Sequence, residues 1–186
     1  MTRERSSLRG TARRTRLLSW GNIPALTATA LLAGGWNAAH STGSAPVLTY
    51  DGYGAVRFGM TVEEAERALG TTAGTDHSGS QACRYTSFSR YAHAKFMVED
   101  GHITRVELDA RGRNILGITV GMPLAEVRQR HPEVTIRPHK YDEAGHYLVF
   151  APAAGKAEIV AEESKGRITL IRGGLLPAVE YVEGCQ

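Results

Sequence analysis

The residues richest in chemistry lie close together. From Arg137 to Tyr147 the sequence reads Arg-Pro-His-Lys-Tyr-Asp-Glu-Ala-Gly-His-Tyr. His139 and His146, with Asp142 or Glu143, are donor types that ligate transition metals. The seven-residue step between the two histidines fits no strict helical or strand site, and a solvated loop explains the same residues. We therefore expect no metal and no cofactor. Loops carried on a rigid scaffold often hold function, so the stretch reads as a loop whose imidazoles and phenols meet a ligand or partner. His139, Tyr141, His146 and Tyr147 are the candidate binding residues, joined by Tyr181 near the C-terminus.

Catalytic patterns are missing. There is no Gly-x-Ser-x-Gly elbow and no P-loop or dinucleotide fingerprint. The acid pairs Glu99-Asp100 and Glu162-Glu163 fall at expected hairpin turns, where carboxylates are ordinarily just solvated. His131 reads as a helix-end residue facing solvent. No catalytic residue is assigned, and the expectation is a protein that is not an enzyme.

The elements that carry these residues are written twice. Phe58-Gly59-Met60-Thr61-Val62-Glu63-Glu64-Ala65 is followed by Val120-Gly121-Met122-Pro123-Leu124-Ala125-Glu126-Val127, and Gly101-His102-Ile103-Thr104 by Gly166-Arg167-Ile168-Thr169. Such self-similarity points to two copies of one small unit. In the first, Thr61 and Glu64 form a capping box. Val62, Ala65 and Leu69 share a helical face, and Gly70 terminates it. Strands are predicted over Cys83–Phe88, Lys95–Val98 and Ile103–Leu108, with Asp100-Gly101 as a hairpin signal and a short lead strand at Ala55–Phe58. In the second, Pro123 opens a helix and His131-Pro132 stops it. Tyr147–Ala151, Ala157–Ala161 and Ile168–Ile171 supply strands, and Val179–Val182 an added terminal one. One helix with three strands buries too little alone, so the copies should pack together.

The ends of the chain bear on its compartment. The first twenty residues hold six arginines against one glutamate, and an uncharged run follows from Ile23 to Gly34. A basic segment, a short apolar core and small residues is the layout of a secretory signal. The apolar run is too short for a spanning helix, which needs roughly 20 residues, so no stable membrane span is expected. The alternative reading is a disordered basic tail. The whole chain carries 22 basic and 19 acidic residues, net +3. Taking away the six arginines and one glutamate before Pro46 leaves about −2, which removes any electrostatic case for nucleic acid. Two cysteines remain, Cys83 and Cys185. In an exported chain an even count reads most simply as a disulfide, two buried free thiols being the alternative.

The helix start Gly-Met-(Thr or Pro)-x-x-Glu followed by an antiparallel meander resembles the small repeat of SmpA/OmlA (BamE-like) envelope proteins. In tandem it is similar to the β-lactamase-inhibitor-protein architecture. Phe96-Met97-Val98-Glu99-Asp100-Gly101, Pro138-His139-Lys140-Tyr141 and Tyr181-Val182-Glu183-Gly184-Cys185 resemble phrases of uncharacterised exported bacterial proteins. The resemblance implies non-catalytic protein binding in the cell envelope and supplies no catalytic residues. The expectation is thus an α+β protein of two tandem helix-plus-antiparallel-sheet repeats packed together. Residues 1–45 are a signal peptide or disordered, 46–112 the first repeat and 113–186 the second. The protein is periplasmic or secreted and binds an envelope protein or small ligand. The alternative is a small extracytoplasmic enzyme or carbohydrate-binding protein using the His139–Tyr147 loop.

Overall fold

A computed structural model describes residues 44–185, with only the backbone for 75–78. The secretory-signal reading therefore falls outside the described residues. The chain is mostly β. In order it forms β1 (Val47–Thr49), β2 (Gly52–Tyr53), β3 (Val56–Arg57), α1 (Val62–Leu69), β4 (Ala73–Gly79), β5 (Cys83–Phe88), β6 (Ala94–Glu99), β7 (His102–Leu108), β8 (Arg113–Asn114), α2 (Leu124–Arg130), β9 (Thr135–Pro138), β10 (His146–Phe150), β11 (Ala157–Ser164) and β12 (Arg167–Leu175), then a 3-10 turn at Ala178–Glu180. Eight strands make one antiparallel sheet in the order β4-β5-β6-β7-β12-β11-β10-β9, and the four short ones make a second in the order β3-β2-β1-β8.

This corrects the expectation of two α+β repeats. β7 and β12 pair directly, Ile171 with Leu108 through Gly174 with Arg105. The strands of both segments therefore run into one sheet, instead of forming two helix-plus-sheet units set against each other. The helices have only eight and seven residues, too few to make a layer of their own. The terminal strand expected at Val179–Val182 is a 3-10 turn. The strands β1, β2 and β8, which the sequence reading did not assign, form the second sheet with β3.

The repeated phrases mark a recurring joint. Gly59 N–H donates to Ile103 O (2.8 Å) and Ile103 N–H to Met60 O (2.8 Å). Gly121 N–H donates to Ile168 O (2.7 Å) and Ile168 N–H to Met122 O (3.0 Å). Each Gly-Met turn thus seats a helix start on the first residues of a hairpin strand. The hairpins share a turn as well: φ is 48° and 82° at Asp100-Gly101, and 51° and 79° at Lys165-Gly166. Two successive positive φ values define the type I′ turn that matches strand twist, which is why glycine recurs there.

α1 begins as expected, with Thr61 accepting from Glu64 N–H and Glu64 accepting from Thr61 N–H, and ends at Gly70 in the left-handed region. α2 has no side-chain cap at Pro123. Both helices lie over one face of the large sheet. A single apolar cluster there joins Leu48, Val62, Leu69, Phe88, Phe96, Ile103, Val127, Leu148, Ile159 and Ile171 across both segments. Strand alternation turns Tyr85, Met97, Arg105, Glu107, Tyr147, Glu158, Val160, Glu162 and Arg172 to the opposite face.

Candidate binding surface at the C-terminal strap

That opposite face is covered by residues Leu176–Cys185, a strap without regular strand structure. Two small apolar clusters lie beneath it: Ala178 on Tyr85 and Met97, and Val179 on Val149 and Val160. The remaining contacts are directional. Irregular backbone laid over a sheet brings carbonyls that need donors, and two arginines supply them. Arg105, 2% exposed, donates from Nη1 to Ala178 O (3.1 Å) and Tyr181 O (2.6 Å). Arg172, also 2% exposed, donates from Nε to Val179 O (2.6 Å). Buried charges demand partners. Arg105 has Glu107 beside it on the same strand face, and Arg172 has Glu162 across the β11–β12 ladder. Tyr85 completes the first cluster, accepting from Arg105 Nη2 (3.1 Å) and donating to Glu107 (2.8 Å). Burial pushes its pKa up to about 12, so it keeps the proton it donates.

The strap is also tied covalently. Cys83 at the start of β5 and Cys185 form a disulfide with Cα atoms 5.3 Å apart, as expected. Gly184 lies against Tyr85 at φ 69°, where a Cβ would stand 2.3 Å from the phenol oxygen; only glycine lets the strap pass so close.

Four of the five sequence-derived site residues, His139, Tyr141, Tyr147 and Tyr181, gather around the far edge of this strap. His139 stacks on Tyr147 with centroids 4.5 Å apart. Its Nδ1 accepts from Tyr141 N–H and Asp142 N–H (both 3.1 Å), which leaves the proton on Nε2, 3.8 Å from Glu162. His139 therefore shapes the loop. Tyr147 packs on the Val149, Val160 and Val179 cluster and lies under the Arg172 guanidinium at 5.6 Å. Tyr141 is 66% exposed, and its hydroxyl donates to Glu183 on the strap. Lys140 Nζ reaches the same carboxylate at 2.6 Å, and Arg137 pairs with Glu180 at 2.6 Å. The hydrogen bond from Lys140 holds Glu183 below the usual carboxylate range. Tyr181 is 38% exposed. The β9–β10 loop and the Tyr181 region, separate in sequence, thus meet in one surface.

His146 stands apart on β10. Its Nδ1 lies 2.7 Å from Glu163 Oε2, and Glu163 also accepts from Gly166 N–H (2.5 Å). This is the carboxylate–imidazole half of a general base. Among the described residues no hydroxyl or thiol is hydrogen-bonded to the other ring nitrogen. Asp142 sits below its usual range chiefly because Ser164 donates to it (2.6 Å).

Several placements differ from the sequence reading. Glu162 and Glu163 lie inside β11 at a register shift, not at a turn, and Glu163 is 1% exposed. His131 does not face solvent: its Nε2 is 2.9 Å from Leu116 O and its ring packs edge-on against Phe150. Arg105, Arg172, Glu107 and Glu158 went unnoticed. Nothing in the sequence separates them from the solvated charges of a half-exposed strand.

No protein-family model matches the chain, and no curated protein matches it. Among solved structures it is similar to a cysteine-rich secretory protein from Staphylococcus aureus, at 12% identity and TM-score 0.42. That similarity covers 69% of this chain and 48% of the other. Among the described residues no helix is long and apolar enough to cross a membrane, and no cluster of three or more His, Cys, Asp or Glu is arranged to hold a metal.

Proposed function

We propose that this protein is an exported, non-catalytic binding module of the cell envelope, periplasmic or secreted, whose contact surface is the junction of the β9–β10 loop with the strap. The observation that carries this reading is the exposure of Tyr141 and Tyr181 on a braced support. Of five large apolar or aromatic side chains exposed among the described residues, Tyr141, Leu176 and Tyr181 belong to this loop and strap. Tyrosine gives broad amphipathic contact area at low entropy cost. The ties from Lys140, Arg137 and the disulfide hold the surface in shape before a partner arrives, which reduces the ordering cost of binding. The disulfide suits an oxidising compartment, in keeping with the basic and then apolar N-terminal sequence.

The test is capture of an envelope partner by the disulfide-bonded protein and by a Tyr141→Ala/Tyr181→Ala variant. Capture should fall at least about tenfold, about 1.4 kcal/mol, with the melting temperature nearly unchanged. Undiminished capture by the folded variant rejects this surface. Loss of capture only on His146→Ala would favour the alternative, a small-ligand or catalytic role for the His146–Glu163 pair.

A further inference from the structure

A cavity of about 790 Å³ opens on the helix side, where the small sheet meets the end of the β10–β11 hairpin. That volume falls within the roughly 300–1,000 Å³ of small-molecule sites. Three parts of the chain wall it: the β1–β2 turn with β3, the β10–β11 connection, and the end of β12. A cavity of about 750 Å³ borders α2, but it is walled by that helix alone and its cation, Arg130, is paired with Glu126.

The larger cavity has an apolar floor. Ala157 and Leu175 stand opposite each other in the β11–β12 ladder and line it. Tyr50 and Phe58 form a wall, and both are partly buried against the helix-side core, so their rings are held in place. Two cations complete the lining. Arg57 comes from β3. Lys156 comes from just before β11, where its carbonyl accepts from Leu176 N–H (2.7 Å). Among the described residues neither cationic side chain has a hydrogen bond or an ion pair, so both remain available to a ligand. Asp51, from the β1–β2 turn, sets one negative charge against these two positive ones. The lining is therefore one positive charge in excess. A single anionic charge brings it to neutrality, and a dianion overshoots. Arg57 offers the parallel N–H donors that match a carboxylate, and Lys156 adds a compact charge. An ammonium group finds two cations and one carboxylate, which opposes it.

We propose that this cavity binds a small monocarboxylate, its carboxylate on Arg57 with Lys156 as the second positive charge, and an apolar body of about phenyl size on Phe58, Ala157 and Leu175. The carboxylate belongs to a free small acid or to the C-terminus of a partner chain. The site shares no residue with the Tyr141–Tyr181 surface and does not depend on it. No covalent step is involved.

The test uses the full, disulfide-bonded chain with labelled alanine and leucine methyls, titrated with phenylacetate and with phenethyl alcohol as its uncharged counterpart. Phenylacetate should shift the Ala157 and Leu175 methyl signals saturably. Phenethyl alcohol, and phenylacetate on an Arg57→Gln/Lys156→Gln variant, should bind at least about tenfold more weakly. Asp51→Asn should bind phenylacetate more tightly, because the competing carboxylate is gone. Arg128→Gln, on α2 outside the cavity, should bind it as the natural sequence does. Absence of saturable shifts, an equal response to the alcohol, undiminished binding by the double variant, or an equal loss in Arg128→Gln overturns the site. Arg57 and Lys156 are exposed, so the double variant should melt at nearly the natural temperature; if it does not fold, the acid–alcohol contrast and Asp51→Asn decide. N-acetyl-Gly-Phe identifies the source: binding at least as tight as phenylacetate indicates a partner's C-terminus, and weaker binding indicates a free small acid.

Discussion

The two faces of the eight-stranded sheet are covered by different means. On the helix side, Phe88, Phe96, Ile103, Leu148 and Ile159 meet residues of both helices and of the small sheet in one continuous apolar cluster. On the strap side, the central row holds Arg105, Arg172, Glu107 and Glu162, with apolar contact confined to two small clusters. Non-directional burial requires no particular partner or angle, so an apolar replacement of similar volume can restore it. A buried ionic network does require its partners, because removing one leaves another charge stranded. The comparison explains how ten residues without strand structure stay on a sheet: they are held by specific donors and one covalent tie.

The largest effect should come from breaking one partner on the strap face. Arg172→Ala strands Glu162 and leaves Val179 O without its donor, and should cost about 3–5 kcal/mol, similar to Phe96→Ala in the helix-side core. The faces part company on repair. Arg172→Met combined with Glu162→Leu should recover most of the loss, as apolar replacement of a whole buried pair often does. Denaturant melts of the three strap-side proteins check this. Failure of the double variant to recover would mean that the strap depends on the Val179 O contact itself.

Removing the covalent tie should cost less and act locally. Cys83→Ser/Cys185→Ser opens a loop of 102 residues, and loss of about 2–4 kcal/mol is typical. Hydrogen exchange should quicken at Tyr181 and nearby strap amides while β6 and β7 keep their protection. Equal loss on both faces would break the distinction drawn between them.

Thr61→Ala should cost about 1 kcal/mol by removing a helix cap on the apolar side, without altering exchange in the strap. The smallest effect is a pH slope. A carboxyl whose folded pKa is raised contributes most stability below its unfolded value, about 4.3, and loses it as pH rises toward the folded value. Asp142 and Glu183, held low by hydrogen bonds, act in the opposite direction. Burial raises the pKa of Glu158, and Glu158→Gln should therefore stabilise the protein at neutral pH relative to its natural form, with the difference vanishing below about pH 4. Melting temperatures of the two proteins across that range check the sign.

The local pieces can be read directly from the order of the residues. Thr61 and Glu64 name a capping box, Gly70 a helix end and Asp100-Gly101 a hairpin, because each depends on atoms within a few residues. The period-2 stretches at Cys83–Phe88 and Ile103–Leu108 are strands for the same reason. The cysteine pair was legible from its count and from the export signal read in the N-terminal sequence. The architecture was not. Whether two similar segments pack as layers or pair as neighbours in one sheet turns on the β7–β12 ladder, and backbone hydrogen bonds between distant strands leave no trace in side-chain pattern. The site was half legible. His139, Tyr141 and Tyr181 were singled out by type, but that His139 is consumed in shaping its loop depends on how the loop folds onto Tyr147, and the tie of Tyr141 to Glu183 reaches across 42 residues. Arg105 and Arg172 acquire their meaning only when the strap folds back over them, because a charge in a strand reads as solvated until tertiary structure supplies a lid.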